Sequence, residues 1–177
     1  LQGIDVSLVA KHKSPDKYLQ EISVPSMNLT VLHISVNGDN IVMQQNGQNV
    51  PITDEIKKGF KDELKIFPEL DLAKTGYTLT LAPTLELLNE NYVYVLTIAT
   101  GEGKAIKDYF DEKTGLKMKE TVENNGNILS SVEFSDYNDV SGIKFPYSRK
   151  SDFGGQVIDF KVKEIKVNSN IADTDFK

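Results

Sequence analysis

The chain has no cysteine and no tryptophan, and only two histidines in 177 residues. Without cysteine there is no disulfide framework, no thiolate zinc site and no thiol catalysis, although the compartment stays open. Uninterrupted apolar runs are only a few residues long, far short of the ~20 that a helix needs to cross a bilayer, so the chain is not expected to span a membrane. A basic excess is missing too. Twenty Lys and Arg against 26 Asp and Glu leave a formal charge of -6, which argues against a nucleic-acid partner. The sequence begins at Leu1, with neither an initiator Met nor a basic-then-apolar signal region, and is expected to be a processed or excised piece of a longer protein. A single domain over 1–177 is the default for this length, and such a chain can hide roughly 70% of its unfolded surface.

What is present is β-rich alternation. Ile4, Val6, Leu8 and Ala10 fall on one face of a first strand, with Asp5, Ser7 and Lys11 on the other. Further strands are expected over about 17–24, 28–36 and 40–46, with Asn37-Gly38 making a tight hairpin between the last two. From Tyr77 the pattern is a run of hairpins, with strands over about 77–88, 92–100, 104–110, 116–123, 128–135, 144–152 and 156–167. Pro83 marks an edge position or a bend in the first of these, and the phase slips near Lys163-Glu164, where a bulge is expected. One amphipathic helix is predicted over about 53–66: Thr53 can cap it, and Ile56, Phe60, Leu64 and Phe67 recur near helical spacing ahead of Pro68. The expected fold class is therefore mainly β (α+β), a large curved antiparallel sheet or incomplete barrel of about eleven strands with one inserted amphipathic helix.

Little in the sequence specifies chemistry. His12 and His33 stand apart, outside any HExxH or HxxEH pattern, and a chain with two scattered His and no Cys is a poor candidate for the roughly three protein ligands of catalytic zinc. Asp108, Asp111 and Glu112, Asp136 with Asp139, and Asp173 with Asp175 fall near hairpin ends, where turn and cap duty explains them better than acid–base work. Asp136-Tyr137-Asn138-Asp139 lacks the glycine position and closing Glu of a calcium loop, and Gly101-Glu102-Gly103-Lys104 lacks the spacing of a phosphate loop. No serine sits in a GxSxG elbow. The chain is read as non-enzymatic, with no metal and no cofactor.

Three strings carry a resemblance: Tyr109-Phe110-Asp111-Glu112-Lys113-Thr114-Gly115-Leu116-Lys117; Phe134-Ser135-Asp136-Tyr137 continuing to Gly142-Ile143-Lys144-Phe145-Pro146; and Ile165-Lys166-Val167-Asn168 with Ile171 to Phe176. In this order they resemble the C-terminal half of the outer-membrane lipoprotein-sorting (LolA-like) superfamily. With Phe67-Pro68-Glu69-Leu70 after the predicted helix, the chain looks closest to a domain that follows pitrilysin/insulinase-like zinc peptidase modules in Bacteroidetes-type proteins. The resemblance implies a periplasmic, non-catalytic domain whose apolar concavity holds a lipid, the acyl chain of a lipoprotein or a hydrophobic peptide. The alternative it implies is a docking domain for peptidase modules of the same parent chain. The expected lid and cavity residues are Ile56, Phe60, Leu64, Phe67, Leu79, Leu81, Tyr94, Leu96, Met118 and Phe134.

Overall fold

In a computed structural model, residues 5–54, 56, 57, 60, 64, 67–74, 76–101 and 103–177 are described. They form two compact units, one of residues 1–70 with 168–177 and one of residues 71–167. Ile4, expected on the first strand, lies outside the described residues.

The first unit is an antiparallel meander of β1 (Ser7–Lys13), β2 (Lys17–Val24), β3 (Leu29–Asn37), β4 (Asn40–Gln45) and the short β5 (Gln48–Asn49), paired in chain order. Gly38 and Asp39 turn the β3–β4 hairpin between the paired Asn37 and Asn40. Gly38 supplies the positive φ of +62° that this joint needs, and its amide donates to the Asp16 carbonyl at 3.1 Å. Register puts His12, Tyr18, Val36 and Ile41 in one row and Ala10, Gln20, Ile34 and Met43 in the next. Phe60 packs on this face with buried Tyr18, Ile34 and Val36, and Ile56 and Leu64 flank the cluster. His12 lies 4.7 Å from the Tyr18 ring, and burial lowers its pKa.

The opposite face takes the C-terminal tail. Lys11, Lys13 and Lys17 lie in the row-ends of β1 and β2 and reach Asp175 (3.4 Å) and Asp173 (2.6 and 2.9 Å); the Lys13 ammonium also donates to the Ile171 carbonyl at 2.9 Å. Beside these pairs Phe176 is only 1% exposed. The Lys13 and Lys17 ammonium groups, hydrogen-bonded to the Asp173 carboxylate, hold its pKa at about 2, below the ordinary 3.8.

The second unit is an antiparallel sheet of β6 (Thr78–Leu81), β7 (Glu86–Leu88), β8 (Asn91–Gly101), β9 (Lys104–Asp111), β10 (Lys117–Asn124), β11 (Asn127–Val140), β12 (Ile143–Phe153) and β13 (Gln156–Lys161). Strands β8 to β13 pair in chain order, and β6 and β7 both pair with β8. Side-chain to backbone bonds close the turns: Asp111 accepts from the Thr114 amide at 2.8 Å, Asp139 from the Gly142 amide at 2.8 Å and Asp152 from the Gly155 amide at 2.7 Å.

The expected architecture is corrected in two respects. Instead of one large sheet of about eleven strands, the described residues form a five-stranded and an eight-stranded sheet, thirteen strands in all. The expected 77–88 strand divides at residues 82–85, where Pro83 cannot donate to a ladder, and β5 was not foreseen. The inserted amphipathic helix over 53–66 is likewise not found among the described residues as a continuous element. Helical backbone occurs at Asp54, Ile56, Lys57 and Phe60, with separate bonds from the Lys57 amide to the Thr53 carbonyl (3.0 Å) and from the Leu64 amide to the Phe60 carbonyl (2.9 Å). Residues 55, 58, 59, 61–63, 65 and 66 lie outside the described residues. A physical reason is legible in the sequence: Gly59 costs a helix interior about 1 kcal/mol relative to alanine, so tertiary packing of Ile56, Phe60 and Leu64, rather than propensity, holds these turns. Thr53 does act as a cap, its hydroxyl accepting from the Ile56 amide at 3.3 Å. Chain 162–167 is not strand, and register shifts fall instead at Ile22/Ser23, Ala99/Gly101, Lys117/Lys119 and Val122/Glu123.

Candidate functional site

Because paired residues of neighbouring antiparallel strands point to the same side, register sorts the eight-stranded sheet into two chemically different faces. One row reads Thr80, Thr97, Lys107, Thr121, Ser131 and Asp152, and the next row on that side holds Val95, Tyr109, Lys119, Glu133, Lys150 and Asp159. On this largely polar face Glu123 is nearly buried and pairs with Lys107 at 3.0 Å, and the hydrogen bond to Glu123 raises the Lys107 pKa.

The other face is mostly apolar. Leu79, Ile98, Ile106 and Val122 form one row; Leu81, Leu96, Asp108, Glu120, Val132, Ser151 and Ile158 form the next; Tyr94, Phe110 and Lys117 form a third. Leu87 pairs with Tyr92 at the end of the same side. Toward β6 and β7 this face is open: Leu79, Leu81, Leu87, Tyr92 and Tyr94 are all exposed, Leu87 by 68%. Toward its middle stands an ion cluster. Asp108 is 2% exposed and pairs with the Lys117 ammonium at 3.1 Å, which also reaches Glu120 at 3.2 Å and lies 6.0 Å from the Phe110 ring centre. The Tyr137 hydroxyl donates to the Lys117 carbonyl and anchors that end of β10.

The candidate residues named from sequence separate into groups. Leu79, Leu81, Tyr94 and Leu96 come together on the apolar face, and Phe134 shares it through its row with Arg149 and Phe160, the guanidinium lying 5.6 Å from the Phe134 ring centre. Met118 sits at the register shift between Lys117 and Lys119 and is half-buried. Ile56, Phe60 and Leu64 pack on the five-stranded sheet of the first unit, and Phe67 is exposed. Sequence reasoning assigns Asp108 to turn duty and misses its partners Lys117 and Glu120. A signal was there: alternation in β9 puts Asp108 between Ile106 and Phe110, on the apolar side of the strand.

This arrangement has solved counterparts. A domain assigned to the outer-membrane lipoprotein-sorting proteins, from Vibrio parahaemolyticus, superposes with a TM-score of 0.62 at 13% identity, over 98% of this chain and 87% of that one. The fold is LolA-like. A LolA superfamily protein from Nitrosomonas europaea gives a TM-score of 0.51 at 12% identity, covering 98% of this chain and 88% of that one. A DUF1329 family protein from Desulfovibrio piger gives 0.63 at 10% identity, over 97% and 80%. No protein-family model and no curated protein matches the sequence. The LolA-like fold is thus shared at very low identity, and none of these structures bears on the zinc peptidase association that Phe67-Pro68-Glu69-Leu70 implied. Among the described residues no group of three His, Asp or Glu side chains is placed to hold a metal ion, no catalytic set is assembled, and no helix is long and apolar enough to cross a membrane.

Proposed function

We propose that this chain is a non-enzymatic periplasmic binding domain that holds a lipid, the acyl chain of a lipoprotein or a hydrophobic peptide on the apolar face of its eight-stranded sheet, the whole of 1–177 acting as one domain. The observation that carries this reading is the contiguous exposure of Leu79, Leu81, Leu87, Tyr92 and Tyr94 on one side of the sheet. A run of large exposed apolar side chains is costly on a solvated surface and marks a binding site. Leu96, Met118 and Phe134 extend the same lining. The LolA-like fold of a lipoprotein-sorting domain and its coverage of nearly the whole chain support the reading. Native mass spectrometry of the purified chain, recorded beside Leu81→Asp, tests it. Co-purified or added lipid is expected on the parent chain and lost from a folded Leu81→Asp variant; equal retention, or no lipid on either, rejects the proposal.

A further inference from the structure

The apolar face of the second unit changes character along its length. Strand pairing sets Tyr94, Phe110 and Lys117 in line on β8, β9 and β10, and Phe134, Arg149 and Phe160 in line on β11, β12 and β13. Lys119 pairs with Glu133, so Phe134 stands level with Met118 at the register shift, and the two lines run on as one across the sheet. At one end Tyr94 is exposed beside the exposed Leu79 and Leu81. Toward the other end stands Arg149, the one arginine in the sequence.

Arg149 is placed to meet an anion rather than to hold the fold. Its side chain is exposed between half-buried Phe134 and Phe160, and its guanidinium lies 5.6 Å from the Phe134 ring centre. Among the described residues it has no carboxylate partner. Of the carboxylates in residues 71–167, only Glu102 lies outside the described residues. Lys117, at the middle of the same line, is by contrast held by Asp108 at 3.1 Å and Glu120 at 3.2 Å. A guanidinium with its donors uncommitted offers a fork that matches a carboxylate or phosphate. The middle of the face favours the same placement: two carboxylates against one ammonium leave a negative excess there, which repels an anion toward Arg149.

We infer that the ligand held on this face is an anionic amphiphile, its carboxylate or phosphate head on Arg149 and its chain laid across Phe134 and Phe110 to Tyr94 and Leu81. The inference rests on the binding reading above and adds the charge of the head group and the direction in which the ligand lies. Length follows from the sheet. Four strand spacings of about 4.8 Å separate β12 from β8, about 19 Å in all. Staggered methylenes advance about 1.25 Å each, so a chain of about 14 to 16 carbons covers that span.

The test is displacement of the neutral fluorophore N-phenyl-1-naphthylamine from the full chain, at physiological salt and below micelle-forming concentrations. The competitors are tetradecanoate, tetradecyl phosphate and the uncharged tetradecyl maltoside. At least one anion is expected to bind about two- to fivefold more tightly than the maltoside, the range an exposed ion pair supplies. The tighter of the two anions names the head group. Arg149→Met, which removes an exposed charge, should bring all three competitors within about twofold and leave the maltoside affinity unchanged. Displacement by all three with no preference for either anion, or a preference that Arg149→Met leaves intact, would overturn the inference while the lipid-binding reading stands. Displacement by none of them would reject that reading, and the inference with it.

Discussion

At the scale of single residues, two aspartates three positions apart have opposite fates. Asp111 sits in a turn and accepts hydrogen bonds from the Thr114 amide and hydroxyl, which hold its pKa below the ordinary carboxylate value. Asp108 lies on the apolar face, out of water, with Lys117 as its counter-ion. Turn duty was legible for Asp111 because the Asp-x-x-Thr-Gly string states its own hydrogen bonds. Asp108 was misread as a hairpin-end residue because its burial depends on Lys117, which only strand pairing brings near. Removing one partner of a buried ion pair leaves an uncompensated charge, so Lys117→Met is expected to cost about 3–5 kcal/mol in urea unfolding. Lys113→Met, at an exposed turn, should stay within about 0.5 kcal/mol. Asp108→Leu/Lys117→Met should recover much of the loss, since replacing both ions by apolar groups is often neutral. A Lys117→Met midpoint equal to that of Lys113→Met would show the pair to be inert.

At the scale of elements, hairpins were the most readable feature. Turn residues with tolerance for positive φ, such as Gly38 and Gly126, fall where the strands reverse. The stretch 53–66 was less readable, because an apolar spacing near 3.6 specifies which side chains face a sheet and not how far a helix runs. Asp173 and Asp175 of the tail are assigned turn and cap duty from sequence, and their ion pairs with Lys11, Lys13 and Lys17 add the role of fastening the tail to β1 and β2. Asp173 carries a lowered pKa, so its contribution is full above the unfolded value of 3.8. The contribution falls away as pH drops toward about 2, because the unfolded chain takes up the proton first. Asp173→Asn should therefore lower the thermal midpoint at pH 7 and bring it much closer to that of the parent at pH 2. A difference of the same size at both pH values would rule out the Lys13–Asp173–Lys17 pairing as its source.

At the scale of the whole molecule, the chain is organised as two compact units, and the last ten residues return to the first of them. Phe176 is the buried anchor of that return. Truncating a buried Phe to Ala costs about 3–5 kcal/mol, and local stability follows cooperative units. Phe176→Ala should accordingly speed amide hydrogen exchange in β1–β4 far more than in β9–β12. Uniform acceleration across both sheets would mean that the tail serves the chain as a whole. The sequence by itself determined the β-rich character, most hairpin positions, the turn aspartates, the Thr53 cap and the absence of thiol chemistry, since each follows from local backbone preference or from composition. Only the tertiary structure decided the division into two sheets, the buried Asp108–Lys117–Glu120 cluster and the tail clasped by Lys11, Lys13 and Lys17. Those features join residues far apart in the chain, and no local propensity encodes which distant strand a side chain will meet.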